Sequence, residues 1–316
     1  MKARLFLLSV AAAHLAAAMP RIGYAQHESA REVAVTFDDL PATHNDVGEM
    51  RSINSRLLKS LERNGVRAVG FVNEAKLFGR GGETARTALL RQWLSAGHEL
   101  GNHTYSHVAI DRVPFEDYKR DLIRGEAVTA GLLREKNMRL RYFRHTQLRT
   151  GPTPAYKKAL DNLLAVRGYT VAPVTIDNND YIFADVYARA KARGDRVQMG
   201  MIADAYIPYM EQVFGHFEKL SRDFLGYEVK QVLLLHANVL NADHFDRLAV
   251  MMRRRGYSFI TLEQALADKA YRLPDAQTAK GLSWLHRWML AKGQQVRPEP
   301  REPEFIMKLY AAISGR

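Results

Sequence analysis

The chain has 316 residues, 47% of them hydrophobic, and carries a formal charge of +12 at neutral pH. That length is enough for one large α/β domain or two small ones with a buried core. There is no cysteine, which excludes disulfides and thiolate chemistry.

Lys2 and Arg4 precede an apolar run from Leu5 to Ala18. The run is too short to span a bilayer, and Gly23-Tyr24-Ala25 fits a small-x-small cleavage site. Residues 1–25 therefore read as a secretory signal peptide. Cleavage after Ala18 is the alternative, and an N-terminal membrane anchor is the competing reading. The expected location is periplasmic or secreted. No other stretch is long and apolar enough for a transmembrane helix, so none is expected once the signal is removed. Its removal takes away Lys2, Arg4 and Arg21 and no acid, which brings the charge from +12 to +9. A basic exported protein suits an anionic neighbour such as a cell-wall polymer or a membrane surface; a merely solvated basic surface is the plainer alternative. Export, and the lack of any nucleic-acid-binding motif, argue against nucleic acid as a partner.

Strand-like runs then alternate with amphipathic helical runs. Residues 33–37 read as a strand. Residues 49–63 read as a helix, with Ile53, Leu57, Leu58 and Leu61 on one face and Asn64-Gly65 at its end. Residues 67–72 form the next expected strand, 84–96 a helix stopped by Gly97, and 99–103 a short strand. Pro114 opens a single helix reaching about Arg134. Residues 140–144 are a strand, 154–167 a helix stopped by Gly168, and 169–176 a strand. Helical patterns fill 182–224. Residues 229–236 form a strongly apolar strand, 242–255 a helix stopped by Gly256, and 258–260 a short strand. Thr261 is placed to cap a helix over 262–270, with Glu263 and Gln264 in its first turn. Residues 282–316 read as a helical tail with a proline-rich break at 297–303. The alternation predicts an α/β fold, a parallel sheet with helices packed outside, and about seven strands fit a complete or incomplete barrel. The expected division is a signal peptide (1–25), one α/β domain (26–275) and a helical C-terminal tail (276–316).

Ligands in such folds sit at the C-terminal ends of the strands. Asp38, Asp39, His103, Arg144, Asp177 and His236 all fall at or just past the end of a strand-like run. Neighbouring residues on a strand point to opposite faces, so a shared site for Asp38 and Asp39 needs a backbone turn just after Phe37. Leu40-Pro41 makes that turn expected. Two acids beside one cation can divide the work, one ligating it and one taking a proton from water; a capping or turn pair is the plain reading of Asp-Asp alone. His103 and His107 would lie about 13 Å apart on a regular strand. One turn of helix or a tight loop brings them to about 6 Å. Neutral imidazoles then suit Zn²⁺ or a similar first-row ion. His236 ends the most apolar strand, either as a core residue or as a group placed at a barrel mouth. Asp177 or Asp180 is placed to fix its tautomer and raise its pKa, making it a general acid. Arg144 is placed to pair with a carboxylate and hold it ionised.

Taken together and in order, these motifs resemble the polysaccharide deacetylase family, the carbohydrate esterases with a NodB-homology domain. Thr36-Phe37-Asp38-Asp39 resembles the first motif and His103-Thr104-Tyr105-Ser106-His107 the second. Phe143-Arg144 resembles the start of the third, Asp177-Asn178-Asn179-Asp180-Tyr181 the fourth, and Leu234-Leu235-His236 the fifth. The resemblance covers about residues 31–265. It implies a distorted, incomplete (β/α) barrel, here with a helical insert at about 182–227 placed beside the mouth. It implies Asp38 as the base that activates water, Asp39, His103 and His107 as metal ligands, and Arg144 as the group that orients Asp38. His236 would protonate the leaving group, supported by Asp180 in preference to Asp177. The implied cofactor is a divalent metal, Zn²⁺ by default, with Co²⁺, Ni²⁺ or Mn²⁺ compatible. The implied reaction removes N- or O-linked acetyl groups from an exported or cell-wall carbohydrate, so the partner is an acetylated oligo- or polysaccharide.

The chain departs from the pattern in two places. Leu40-Pro41 stands where Gly-Pro is usual, and His145-Thr146-Gln147-Leu148 where Pro-Pro-Tyr-Gly is usual. Gln147 is thus the nearest counterpart of the residue whose backbone N–H faces the oxyanion, and His145 either adds an imidazole near the site or packs there. Two other readings compete: a catalytically silent saccharide-binding protein, and an amidohydrolase of a small non-sugar amide. Loss of Asp38 or His236 would favour the former, and both are present.

Overall fold

The computed structural model describes residues 31–78 and 82–314, so the expected signal peptide lies outside the described residues. Seven parallel strands form one sheet. They are β1 (Arg31–Leu40), β2 (Val69–Val72), β3 (Glu99–Asn102), β4 (Tyr142–Phe143), β5 (Thr170–Val171), β6 (Gln231–His236) and β7 (Tyr257–Ile260). The path runs β5-β4-β3-β2-β1-β6, and β7 pairs with Arg31–Ala34 of β1. The result is a distorted, incomplete (β/α) barrel, as expected.

The central strand explains the layering. Side chains alternate along a strand, and β1 is buried on both faces, as parallel strands are. Val33, Val35 and Phe37 join the larger core cluster; the Phe37 ring meets Trp93 and Phe245 in the surrounding helices. Ala34 joins a second cluster with Val69, Phe71, Tyr142 and Val232 from neighbouring strands. Ala34, Thr36 and Asp38 therefore line the barrel interior, with Asp38 at its mouth.

The helices are α1 (Val47–Arg63), α2 (Glu83–Ser95), α3 (Phe115–Arg124), α4 (Ala127–Arg134), α5 (Pro154–Val166), α6 (Asp180–Ala192), α7 (Arg196–Leu225), α8 (Val239–Arg254), α9 (Leu262–Leu266), α10 (Trp284–Ala291) and α11 (Glu304–Ser314). Thr261 caps α9 as expected, in a full capping box with Gln264, though α9 is shorter than predicted and a 3₁₀ turn, Lys269–Arg272, follows it.

Two elements differ from expectation. The single helix predicted from Pro114 to Arg134 is two, broken at Gly125. A Cβ at Gly125 would lie 2.6 Å from the Thr104 carbonyl carbon, so the break lets the chain pass close beneath the His103–His107 segment. The strand predicted over 169–176 keeps its ladder with β4 only at Thr170–Val171. Past Pro173 the chain crosses to β6: the N–H groups of Thr175 and Ile176 donate to Val232 O, and Leu234 N–H donates to Ile176 O. This crossing draws the sheet round toward closure and delivers residues 177–180 to the mouth.

The insert supplies α6 and α7, and Ile202, Tyr206, Met210, Val213 and Phe217 of α7 are buried in the core. The tail is as firmly joined. Trp284, Leu285, Trp288, Met289 and Ile306 are buried, and Trp284 N–H donates to Val174 O. No helix among the described residues is long and apolar enough to cross a membrane.

Candidate active site

Asp38 and Asp39 both reach the mouth, by a different device from the one expected. Strand β1 does not turn after Phe37 but runs on to Leu40. Its register with β2 shifts between Phe37 and Leu40, and Asp39 adopts a left-handed backbone, φ 69°. Asp is among the residues that tolerate that region.

His103 follows β3, and the bend to His107 is a loop. Asn102 fixes its start: its side-chain oxygen accepts from Thr104 N (2.7 Å) and its amide donates to Leu122 O (3.0 Å). Thr104 and His107 have φ of 63° and 57°, and His107 N–H donates to Thr104 Oγ1 at 3.1 Å. Left-handed non-glycine residues each cost about 1–3 kcal/mol and persist where surrounding structure holds them. Asp39, Thr104, His107, Gln147 and Leu148 are five of the six such residues described, and all lie in the segments of the first three motifs.

The imidazole rings of His103 and His107 sit 4.9 Å apart. His103 Nδ1 donates to Arg144 O at 2.9 Å, which leaves Nε2 as a free lone pair. That Nε2 lies 4.0 Å from Asp39 Oδ1, and His107 Nε2 lies 3.8 Å from the same oxygen. One ligand atom from each of the three residues falls within 4.8 Å of the others. Asp39 Oδ1 is buried without a hydrogen-bond partner. An orphaned carboxylate oxygen facing two imidazole nitrogens fits a first-row divalent cation. Burial keeps His103 neutral, far below its usual range. Burial works against ionised Asp39, but the Lys76 ammonium, with Nζ 3.5 Å from Oδ2, opposes it, and the carboxyl lies well below its usual range.

Asp38 stands beside this triad. Its Oδ2 is 3.6 Å from His103 Nε2 and its Oδ1 is 3.8 Å from Arg144 Nη1. Burial pushes its carboxyl up to about 6, against the pull of Arg144. Arg144 is fully buried in the barrel, lies 4.6 Å over the Phe71 ring, and donates to Thr36 Oγ1 at 2.8 Å.

On the other side, His236 Nδ1 donates to Asp180 Oδ1 at 2.6 Å. Asp180 is fully buried, and its Oδ2 accepts from His236 N (2.9 Å), Asn238 Nδ2 (3.1 Å) and Asn241 Nδ2 (2.6 Å). Burial disfavours the imidazolium, but Asp180 outweighs it, and the pKa of His236 rises to about 10. Of the two acids left open by the sequence, Asp180 is the one bonded to His236. Asp177 accepts from Asn178 N–H instead, and burial together with Glu299 pushes its carboxyl up to about 7. His145 packs away from the triad, stacked at 6.0 Å on Trp284 and edge-on to Phe143.

Sequence reading missed several neighbours. Lys76 follows β2 and Asn238 follows β6, and the strand-end rule that found the others would have flagged both. Tyr310 of α11 meets Tyr181, which meets the His236 ring edge-on at 6.3 Å; a tail residue more than seventy positions from the last motif carries no local signal.

Residues 25–170, a little under half the chain, match the family model for polysaccharide deacetylase. The segment contains Asp38, Asp39, His103, His107 and Arg144, so the resemblance read from the first three motifs stands over this stretch; Asp180 and His236 lie beyond it. Over 97 residues the chain is 30% identical to a peptidoglycan-N-acetylglucosamine deacetylase of Bacillus cereus, a match covering 31% of this chain and 30% of that protein. The chain thus aligns with under a third of that curated relative. Among solved structures, a mutant of a CE4 family pseudoenzyme of Bacillus anthracis shares the fold, with TM-score 0.51 and 14% identity over 76% of this chain and 68% of that one. A family 4 carbohydrate esterase of Streptomyces lividans in complex with acetate aligns with TM-score 0.47 and 21% identity, over 74% of this chain and 95% of that one.

Proposed function

We propose that this chain is an exported, metal-dependent hydrolase that removes acetyl groups from a cell-wall or other extracellular carbohydrate. What carries the reading is one juxtaposition: three converging metal-type donors, Asp39, His103 and His107, flanked by a buried acid, Asp38, and by an imidazole, His236, bonded to a buried carboxylate. The match of residues 25–170 to the deacetylase family supports it.

Asp39, His103 and His107 would hold the metal, Zn²⁺ by default, which supplies Lewis acidity toward the acetyl carbonyl and toward water. Asp38, ionised above pH about 6, takes a proton from the attacking water. Arg144 keeps that carboxylate oriented. His236 enters the cycle as the imidazolium, which Asp180 stabilises, and gives its Nε2 proton to the leaving nitrogen as the C–N bond breaks. The products are acetate and a free amine, or a hydroxyl where the substrate is an acetyl ester. Negative charge on the carbonyl oxygen also calls for a backbone N–H, and the Gln147 loop would supply it.

The test is acetate release by zinc-loaded protein from chitooligosaccharides, peptidoglycan fragments and acetylated xylan, with and without a chelator. Release that the chelator abolishes is the expected result. If no substrate yields acetate while saccharide binding persists in Asp38→Asn, the silent binding protein is the better description.

A further inference from the structure

The loop after Arg144 has two consecutive left-handed non-glycine residues, Gln147 (φ 54°) and Leu148 (φ 51°). Such backbone persists only where neighbours hold it. The holding groups come largely from the tail. Arg287 of α10 is fully buried, and its guanidinium donates to Leu148 O (2.6 Å) and Thr150 Oγ1 (3.1 Å). It also donates to Ala276 O (2.9 Å) and Lys280 O (3.2 Å), so one side chain ties the loop to the tail. Gln277 Nε2 donates to Gly151 O at 2.8 Å. Gly281 runs so close to the Gln147 carbonyl that a Cβ there would collide with its oxygen.

These acceptors are three carbonyls and a hydroxyl, not a carboxylate. A buried cation is costly unless paired or hydrogen-bonded, and both terminal nitrogens of this one are spent on backbone and hydroxyl acceptors of the loop and the tail, while Nε has no partner. The Pro-Pro pair that would stiffen this loop in the resembled pattern is His145-Thr146 here.

We infer that Arg287 is a positioning residue for the deacetylation: it clamps the Gln147–Leu148 loop from the tail, so that the loop's backbone faces the reacting carbonyl. This rests on the deacetylase reading. Its loss acts on kcat, because the group it positions matters where charge develops, and leaves substrate affinity and metal binding largely alone.

The experiment compares wild type with Arg287→Met by steady-state kinetics, zinc content and amide hydrogen exchange. The expected result is a fall in kcat of at least about tenfold, with KM and zinc content close to wild type and faster exchange in residues 146–150. Wild-type kcat, or unchanged exchange in that loop, overturns the proposal. Should Arg287→Met fail to fold, Thr150→Val removes one acceptor alone. It should lower kcat by about threefold and loosen the same amides, and wild-type values for both overturn the clamp. If wild-type protein releases no acetate from any substrate, the deacetylase reading falls. Exchange then decides the clamp by itself, and equal rates overturn it.

Discussion

On the proposed mechanism Asp38 would remove a proton and His236 deliver one, and their surroundings shift them in directions that suit those roles. Asp38→Asn keeps the shape of the site and removes the base. Turnover should fall by about 10²–10⁴-fold, while zinc content, measured by elemental analysis, stays at the wild-type level. The alkaline limb of the profile would belong to His236, whose pKa is raised to about 10, chiefly by Asp180. It must be protonated to act, so activity holds through neutrality and falls as pH rises toward that value. Asp180→Asn removes the anion that favours the imidazolium, so the fall moves to lower pH. Profiles of kcat/KM against pH for the two proteins check this; coincident alkaline limbs would refute the pairing. Both residues were legible in the sequence because they sit at the ends of short apolar runs that, in strand–helix alternation, read as buried parallel strands. The left-handed turn at Asp39 was not, since Asp is compatible with several backbone regions and the burial of its neighbours selects one. Spacing alone left Asp177 and Asp180 both open, and only the resemblance favoured Asp180; in the fold Asp180 opens α6 and is the one that meets the imidazole.

At the level of elements, the break between α3 and α4 serves the second motif. Tyr105 N–H donates to Asp121 O at 3.0 Å, and Gly125 lets the two backbones meet. Gly125→Ala forces them apart. The expected cost is about 1–3 kcal/mol, read as a lower melting temperature, with weaker zinc binding in a competitive titration because His103 and His107 sit on the displaced loop. Wild-type zinc affinity in a destabilised variant would show that the loop keeps its shape without this contact. The strands of the first half were readable to within a few residues, as was the Thr261 cap. The helix break was hidden because Gly125 owes its role to residues some twenty positions earlier, and apolar spacing runs through it almost unbroken.

Across the whole molecule, the tail read from sequence as an appended segment is packed into the core. Deleting residues 276–316 would strip Trp284, Leu285, Trp288 and Met289 from the core, uncover the Tyr271 and His145 rings packed on them, and remove the donor to the Val174 carbonyl. The truncated chain should lose its cooperative thermal transition by circular dichroism; an unchanged transition would show that residues 31–275 fold alone. Spacing within the tail gave no warning of this, since the partners of α10 lie far back in the chain. The tail's grip also has a consequence in time. A polypeptide is made from its N-terminus, so residues 281–287 leave the ribosome after every residue of the five motifs. The loop they fasten therefore stays loose until synthesis has passed them. A partly made chain would carry Asp39, His103 and His107 together with Asp38 and His236 without a finished rim around them.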